Sequence, residues 1–304
     1  MKLVTYESRG KHLLGAVLDG RIVDLSPVLP APNENLGLPV DALKRCGSGI
    51  VAFLAAGAPA MDAAHAYLAD AQRHWHPEAY PALRDIRLCA PVPRPGKVVA
   101  IGRNYADHAA ETGVKPFEQP RVIAKLPSSV VGPGAAVERP EGVAKLDYEI
   151  ELGVVLGKRT KRVARAQALE SVAGYTVLND VSAREFQFDV SPAQTTFAKS
   201  MDGFCPMGPW IVTRDEIPDP QDLALKLWVN GELLQDGNTH DMIFDVARLI
   251  EYISRFMTLE PGDVIATGTP AGVGAFRTPP RWLQPRDRLR LEIERIGALE
   301  HSIA

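Results

Sequence analysis

Leu146-Asp-Tyr-Glu-Ile-Glu-Leu-Gly-Val-Val-Leu-Gly157 decides how this chain reads. Apolar Leu146, Tyr148, Ile150 and Leu152 alternate with Asp147, Glu149, Glu151 and Gly153, the period of a β-strand. On such a strand Glu149 and Glu151 project from one face, with Cβ atoms roughly 6–7 Å apart. Two carboxylates that close repel unless water separates them or a cation lies between them. Two readings are open at this point: a solvated strand with a charged face, or half of a cation site.

The following segment favours the second. VARAQALESVA (163–173) reads as a helix, and GYTVLND (174–180) as an apolar strand ending in Asp180. A strand–helix–strand path brings Asp180 beside the glutamates. Three carboxylates plus water suit a hard ion, Mg²⁺, Mn²⁺ or Ca²⁺, rather than zinc or copper. So few protein ligands leave positions open for water and a chelating substrate, which favours Mg²⁺ or Mn²⁺.

Further out, LVTY and HLLGAVLDGRIVDL read as a meander turning at Asp19-Gly20, followed by helical stretches over Val40–Ala56 and Pro59–Gln72. Residues 1–90 are therefore expected to form a small α/β domain. The three prolines of PVPRP (91–95) stiffen a connector, and strands dominate from Lys97 onward. LALKLWVNGELLQ (223–235) carries the Asn-Gly pair of a hairpin, and Val246, Leu249, Ile250 and Ile253 recur at helical spacing after Asp245. The expected class is α+β and strand-dominated, with a catalytic domain over 97–304.

The chain has 304 residues, 46% hydrophobic and 23% charged, with a formal net charge of −3. There is no basic surplus for nucleic acid. No apolar run is long enough to span a bilayer, and MKLVTYESRG turns polar before a secretory h-region can form. Cys46, Cys89 and Cys205 are far apart, odd in number and without a CxxC pair, so a reducing, cytoplasmic setting is expected. Cys205, between Phe204 and Pro206, reads as inert packing. His74-Trp75-His76 lies in a polar, loop-like stretch and reads as a surface or packing feature rather than a metal site.

Three other segments carry chemistry. In GRNYADHAAETG (102–113), Asn104 is placed to cap a short helix on which His108 and Glu111 share a face. A carboxylate beside an imidazole fixes its tautomer and raises its basicity, as a general base requires; an exposed surface pair is the alternative. In TTFAKSMDGFCPMGPW (195–210), Lys199 and Asp202 are an unusual charged pair among small and aromatic residues. ATGTPAGVG (266–274) lacks the spacing of a phosphate loop, yet its backbone N–H groups and the Thr269 hydroxyl suit a carboxylate.

GRNYADHAAE, LDYEIELGVVLG, NDVSARE, FAKSMDGFCPMGP and PGDVIATGTPAGVG, in this order, resemble the fumarylacetoacetate hydrolase superfamily, over roughly Lys97 to the C-terminus. Within it the chain is similar to bacterial acylpyruvate hydrolases and 2-hydroxymuconate isomerases, enzymes of aromatic catabolism. The resemblance implies a mixed β-sandwich or rolled sheet, a homodimer, and Mg²⁺ or Mn²⁺ on Glu149, Glu151 and Asp180. It also implies a water-activating dyad of His108 and Glu111, charge stabilisation by Lys199, and substrate binding by Arg103, Arg184, Gln187 and Thr269. The implied substrate is a small anionic 2-oxo acid of the acylpyruvate type, cleaved at a C–C bond through a metal-stabilised enolate. An oxaloacetate-type decarboxylase and an isomerase or hydratase are same-family alternatives; a silent Ca²⁺-binding protein leaves Lys199 without a role. One departure is visible: the family often has Arg-Asp where this chain has Arg184-Glu185, which touches Arg184 and substrate identity more than the metal.

Overall fold

The computed structural model describes residues 1–29, 49–113 and 115–304. Among them a ten-stranded sheet runs edge to edge through 21–24, 11–18, 2–8, 205–213, 172–179, 150–156, 264–266, 98–102 and 121–125, with 130–131 pairing off 205–213. A five-stranded sheet, ordered 232–238, 224–229, 288–293, 297–303 and 136–137, packs across it. Neighbours are mostly antiparallel, but Val264–Ala266 runs parallel to Val98–Gly102. The class is strand-dominated α+β with mixed sheets, as the alternating segments predict. The meander over residues 2–24 extends the large sheet through Lys2 and Leu3, which pair with Val212 and Ile211.

Turn chemistry sets both predicted hairpins. Asp19 and Gly20, and again Asn230 and Gly231, all have positive φ, the requirement of a type I′ turn, whose twist matches its strands. Helix Val246–Phe256 begins where Asp245 accepts a hydrogen bond from Arg248 N–H, a cap that contributes about 1 kcal/mol. Its Val246, Leu249, Ile250 and Ile253 are buried in the main hydrophobic core. The alanine-rich stretch forms helix Ala58–Arg73. Of the helix read over Val40–Ala56, Ile50–Ala56 is helical, and residues 40–48 lie outside the described residues. These two helices bend by 110° at Gly57, and no single helix among the described residues is long and apolar enough to cross a membrane.

Strand Ile150–Leu156 is central, between Val172–Asn179 and Val264–Ala266, and all seven of its residues are buried. That position removes the solvated-strand reading of Glu149 and Glu151, which are 5% and 1% exposed. Buried carboxylates need partners.

Candidate metal centre and active site

Glu151 lies on the central strand and Glu149 just ahead of it. Asp180 follows the end of the neighbouring antiparallel strand, its N–H bonded to Glu149 O at 2.9 Å. One oxygen from each of the three carboxylates lies within 4.8 Å of the others. This all-oxygen donor set fits a hard divalent ion.

Three buried cations brace the carboxylates. Lys199 Nζ donates to Glu149 Oε2 (2.8 Å), Asp180 Oδ2 (2.6 Å) and Ser182 Oγ (2.8 Å). Arg184 bonds Glu149 Oε1 through Nη2 (2.7 Å), Asp147 Oδ2 through Nε (2.8 Å) and Gln187 Oε1 through Nη1 (2.8 Å). Lys125 Nζ donates to Asp180 Oδ1 (2.6 Å), Phe204 O (3.0 Å) and Lys199 O. Against these three cations stand four buried carboxylates, Asp147, Glu149, Glu151 and Asp180.

The imbalance falls on one residue. Burial alone would push the Glu149 carboxyl up, but the charges of Lys199 and Arg184 outweigh it and hold Glu149 well below the usual range. Glu151 goes the other way: burial, then the neighbouring Asp180 and Glu149, push it well above that range. A cation beside Glu151 would offset this repulsion, so the electrostatics and the donor set fit the same species.

Helix Ala106–Glu111 brings the dyad together. His108 Nδ1 is 2.6 Å from Glu111 Oε1, and His108 is 6% exposed, which rules out the surface-pair reading. With Nδ1 engaged, Nε2 is the ring nitrogen left for proton transfer. The expected cap is corrected: the N-cap position is Tyr105, without a side-chain cap. Asn104 is fully buried, and its amide bonds Phe244 N, Phe244 O and Thr267 O instead. A buried amide spent on two other segments has nothing left for the helix. The Lys199–Asp202 pair is also corrected: Lys199 turns inward to Glu149 and Asp180, while Asp202 is exposed. The residue after Arg184, Glu185, accepts from Ala144 N and Lys145 N, so it secures that turn rather than facing the pocket.

The glycine-rich segment meets carboxylates of the protein itself. Gly268 N–H donates to Glu151 Oε2 (2.8 Å), Ala271 to Asp107 Oδ2 (3.2 Å) and Gly272 to Glu111 Oε2 (2.9 Å). Gly274 and Ala275 donate to Asp147 Oδ1 (2.7 Å) and Oδ2 (3.0 Å). Gly272 has φ +103°, and a Cβ there would lie 2.3 Å from Leu234 O, so glycine is required. The Thr269 hydroxyl accepts from Gln235 Nε2 at 2.8 Å.

Nine of the ten predicted site residues line one cavity: Arg103, His108, Glu149, Glu151, Asp180, Arg184, Gln187, Lys199 and Thr269. The tenth, Glu111, stands behind His108. Arg121, Ile123, Phe188, Thr195 and Phe276 join the lining; the sequence reading missed these, along with Lys125 and Asp147. Two signals were available. Lys125 continues the alternation of Ile123 in a strand, and Asp147 shares the period of Glu149 and Glu151. Of the surface and packing roles expected for His74 and His76, their exposure gives the surface one. Cys205 is fully buried, and burial pushes its thiol up to about 12, which suits packing and not nucleophilic attack.

The fumarylacetoacetate (FAA) hydrolase C-terminal family model matches residues 97–304. A mitochondrial oxaloacetate tautomerase of Bos taurus is 44% identical over 219 residues, 72% of this chain and 70% of that protein. Among solved structures, the fumarylacetoacetate hydrolase of psychrophilic Exiguobacterium antarcticum aligns with a TM-score of 0.78 at 36% identity, over 100% of this chain and 99% of that one. Maleylpyruvate hydrolase from Sphingobium sp. SYK-6, in complex with manganese(II) ion and pyruvate, aligns with a TM-score of 0.78 at 29% identity, over 100% and 99%.

Proposed function

The chain belongs to the fumarylacetoacetate hydrolase family, and from that premise we propose that it is a Mg²⁺- or Mn²⁺-dependent hydrolase. It cleaves the C–C bond of a 1,3-dicarbonyl 2-oxo acid of the acylpyruvate type. The observation that carries this reading is the His108–Glu111 pair, closed at 2.6 Å, on the same cavity as the carboxylate trio. A buried imidazole oriented by a carboxylate can activate water, the step that hydrolysis adds to the enolate chemistry the family shares.

Glu149, Glu151 and Asp180 would hold the ion, which when bound would polarise the 2-oxo acid and stabilise negative charge on it. His108 Nε2 takes a proton from water, and Glu111 stabilises the imidazolium that forms. The hydroxide oxygen bonds to the distal carbonyl carbon. As the C–C bond breaks, its electron pair passes to the 2-oxo acid fragment, and the His108 proton returns to that carbon. The products are a carboxylic acid and pyruvate. Lys199, buried and held as a cation by Glu149 and Asp180, lies on the cavity wall to offset the developing charge. Arg103, Arg184, Gln187 and Thr269 orient the acid.

The likeness to an oxaloacetate tautomerase favours a second reading, proton transfer on a 2-oxo diacid without bond cleavage. A panel of acylpyruvates and oxaloacetate, assayed with each metal for pyruvate release and for keto–enol exchange, separates the two. Hydrolysis predicts pyruvate release that His108→Ala lowers by roughly 10²–10⁴-fold. Keto–enol exchange without pyruvate release from any acylpyruvate overturns the hydrolase reading.

A further inference from the structure

Asp147 is fully buried, yet it is not one of the three carboxylates that converge on the ion site. Both its oxygens are satisfied. Oδ1 accepts from Tyr148 N (2.9 Å) and Gly274 N (2.7 Å), and Oδ2 from Arg184 Nε (2.8 Å) and Ala275 N (3.0 Å). Gly274 leaves no room for adjustment, because a Cβ there would lie 2.6 Å from Asp147 Oδ1 and 2.1 Å from Arg281 O.

We propose that Asp147 is a positioning residue: it fixes the Arg184 guanidinium and ties it, through Gly274 and Ala275, to the segment that also holds the His108–Glu111 pair. Arg184 has two carboxylate partners. One of them, Glu149, belongs to the ion site and shares its charge with whatever cation is there. Among the described residues Asp147 answers only to Arg184 and to backbone amides, so it is the constant partner. The segment supplying two of those amides also supplies Gly272 N–H to Glu111. Arg184 and the dyad therefore take their positions from one stretch of backbone. A displacement of either by an ångström is the scale at which oriented catalysis loses about 100-fold.

The inference rests on the reading of Arg184 as facing the substrate, so its test uses two probes. In the wild-type protein the Arg184 Nε–H, followed by ¹⁵N NMR, should exchange at least tenfold more slowly than the Nε–H of an exposed arginine such as Arg84. Rapid exchange overturns the proposal without any variant. Oxalate, titrated into the Mn²⁺-loaded protein by calorimetry, supplies the second probe. Asp147→Asn keeps the shape but removes the charge, and should weaken oxalate about tenfold while Mn²⁺ affinity stays within threefold. In an Arg184→Met background the same change should cost nothing further. Full additivity of the two substitutions, or unchanged oxalate binding by Asp147→Asn, overturns it. If the wild-type protein binds Mn²⁺ but no oxalate, the hydrolase reading falls, and Nε–H exchange still decides whether Asp147 holds Arg184.

Discussion

The candidate site has two walls built by different means. On one, Lys125, Arg184 and Lys199 hold Asp180, Asp147 and Glu149 by full charge, with almost no solvent between them. On the other, the segment from Gly268 to Ala275 holds Glu151, Glu111, Asp107 and Asp147 through neutral backbone amides. The cationic wall depends on balance. A buried pair is costly to assemble, and removing one member strands the other at about 3–5 kcal/mol. The amide wall adds no net charge, so its carboxylates keep theirs for other partners, and what it requires is shape. Errors on the first wall should therefore change what the site binds, and errors on the second how well the bound groups are aimed.

Glu149→Gln tests the cationic wall and carries the largest expected effect. It removes a ligand oxygen's charge and leaves Lys199 and Arg184 each short of one partner. Metal-dependent turnover should fall by well over 100-fold, beyond the 10–100-fold typical of residues that only support a ligand. The far-UV circular dichroism spectrum should be retained. Full activity in this variant would sink both the metal site and the hydrolase reading.

Gly272→Ala tests the amide wall. The added Cβ must displace Leu234 O, at 2.3 Å, from a backbone with φ +103°, a strain of roughly 1–3 kcal/mol. Glu111 then loses its aim, and kcat should drop about 100-fold. Metal affinity should stay near the wild-type value, because Glu151 is held separately by Gly268. A loss of metal affinity as large as the loss in kcat would show that the two walls are not independent.

The same contrast explains what was legible in the sequence. Asp19-Gly20 and Asn230-Gly231 were readable because turn geometry is decided within two residues. The Glu149–Glu151 pair followed from strand period and the His108–Glu111 pair from helix period, both local rules. Asp180 was readable because it ends an apolar run. Lys125 was legible only as the inward phase it shares with Ile123, since the partners of its Nζ lie 55 and 74 residues away. Asn104 and Lys199 each had a plausible near neighbour in sequence, a helix start and Asp202. In both cases long-range burial offered a stronger partner. The amide wall was visible as glycines, whereas which carboxylates its N–H groups serve depends on sheet order.

The smallest effect lies behind the cationic wall. Asn179 accepts a hydrogen bond from Glu149 N through Oδ1 (2.9 Å), and its Nδ2 donates to His301 Nε2 (2.8 Å). His301 Nε2 is thus an acceptor, and the ring is neutral with its proton on Nδ1. Burial lowers its pKa from the usual 6.5 to about 4, only partly offset by a hydrogen bond with the Ser302 backbone. Above pH 6.5 neither folded nor unfolded chain carries this proton, and His301 adds no pH dependence. Between 6.5 and 4 the unfolded chain takes up a proton that the folded chain refuses. Stability therefore falls by up to about 1.4 kcal/mol per pH unit, roughly 3 kcal/mol in all, and this share levels off below pH 4. His301→Gln keeps an acceptor for Asn179 but cannot titrate. Denaturant unfolding of both proteins from pH 7.5 to 4 should give curves that converge with acid, the wild type losing more. Turnover at pH 7.5 should differ little, since the Asn179 contact to Glu149 N–H is preserved. Curves that stay parallel would mean that His301 takes up its proton in the folded state, which would place it in a wetter or more flexible setting than the rest of this wall.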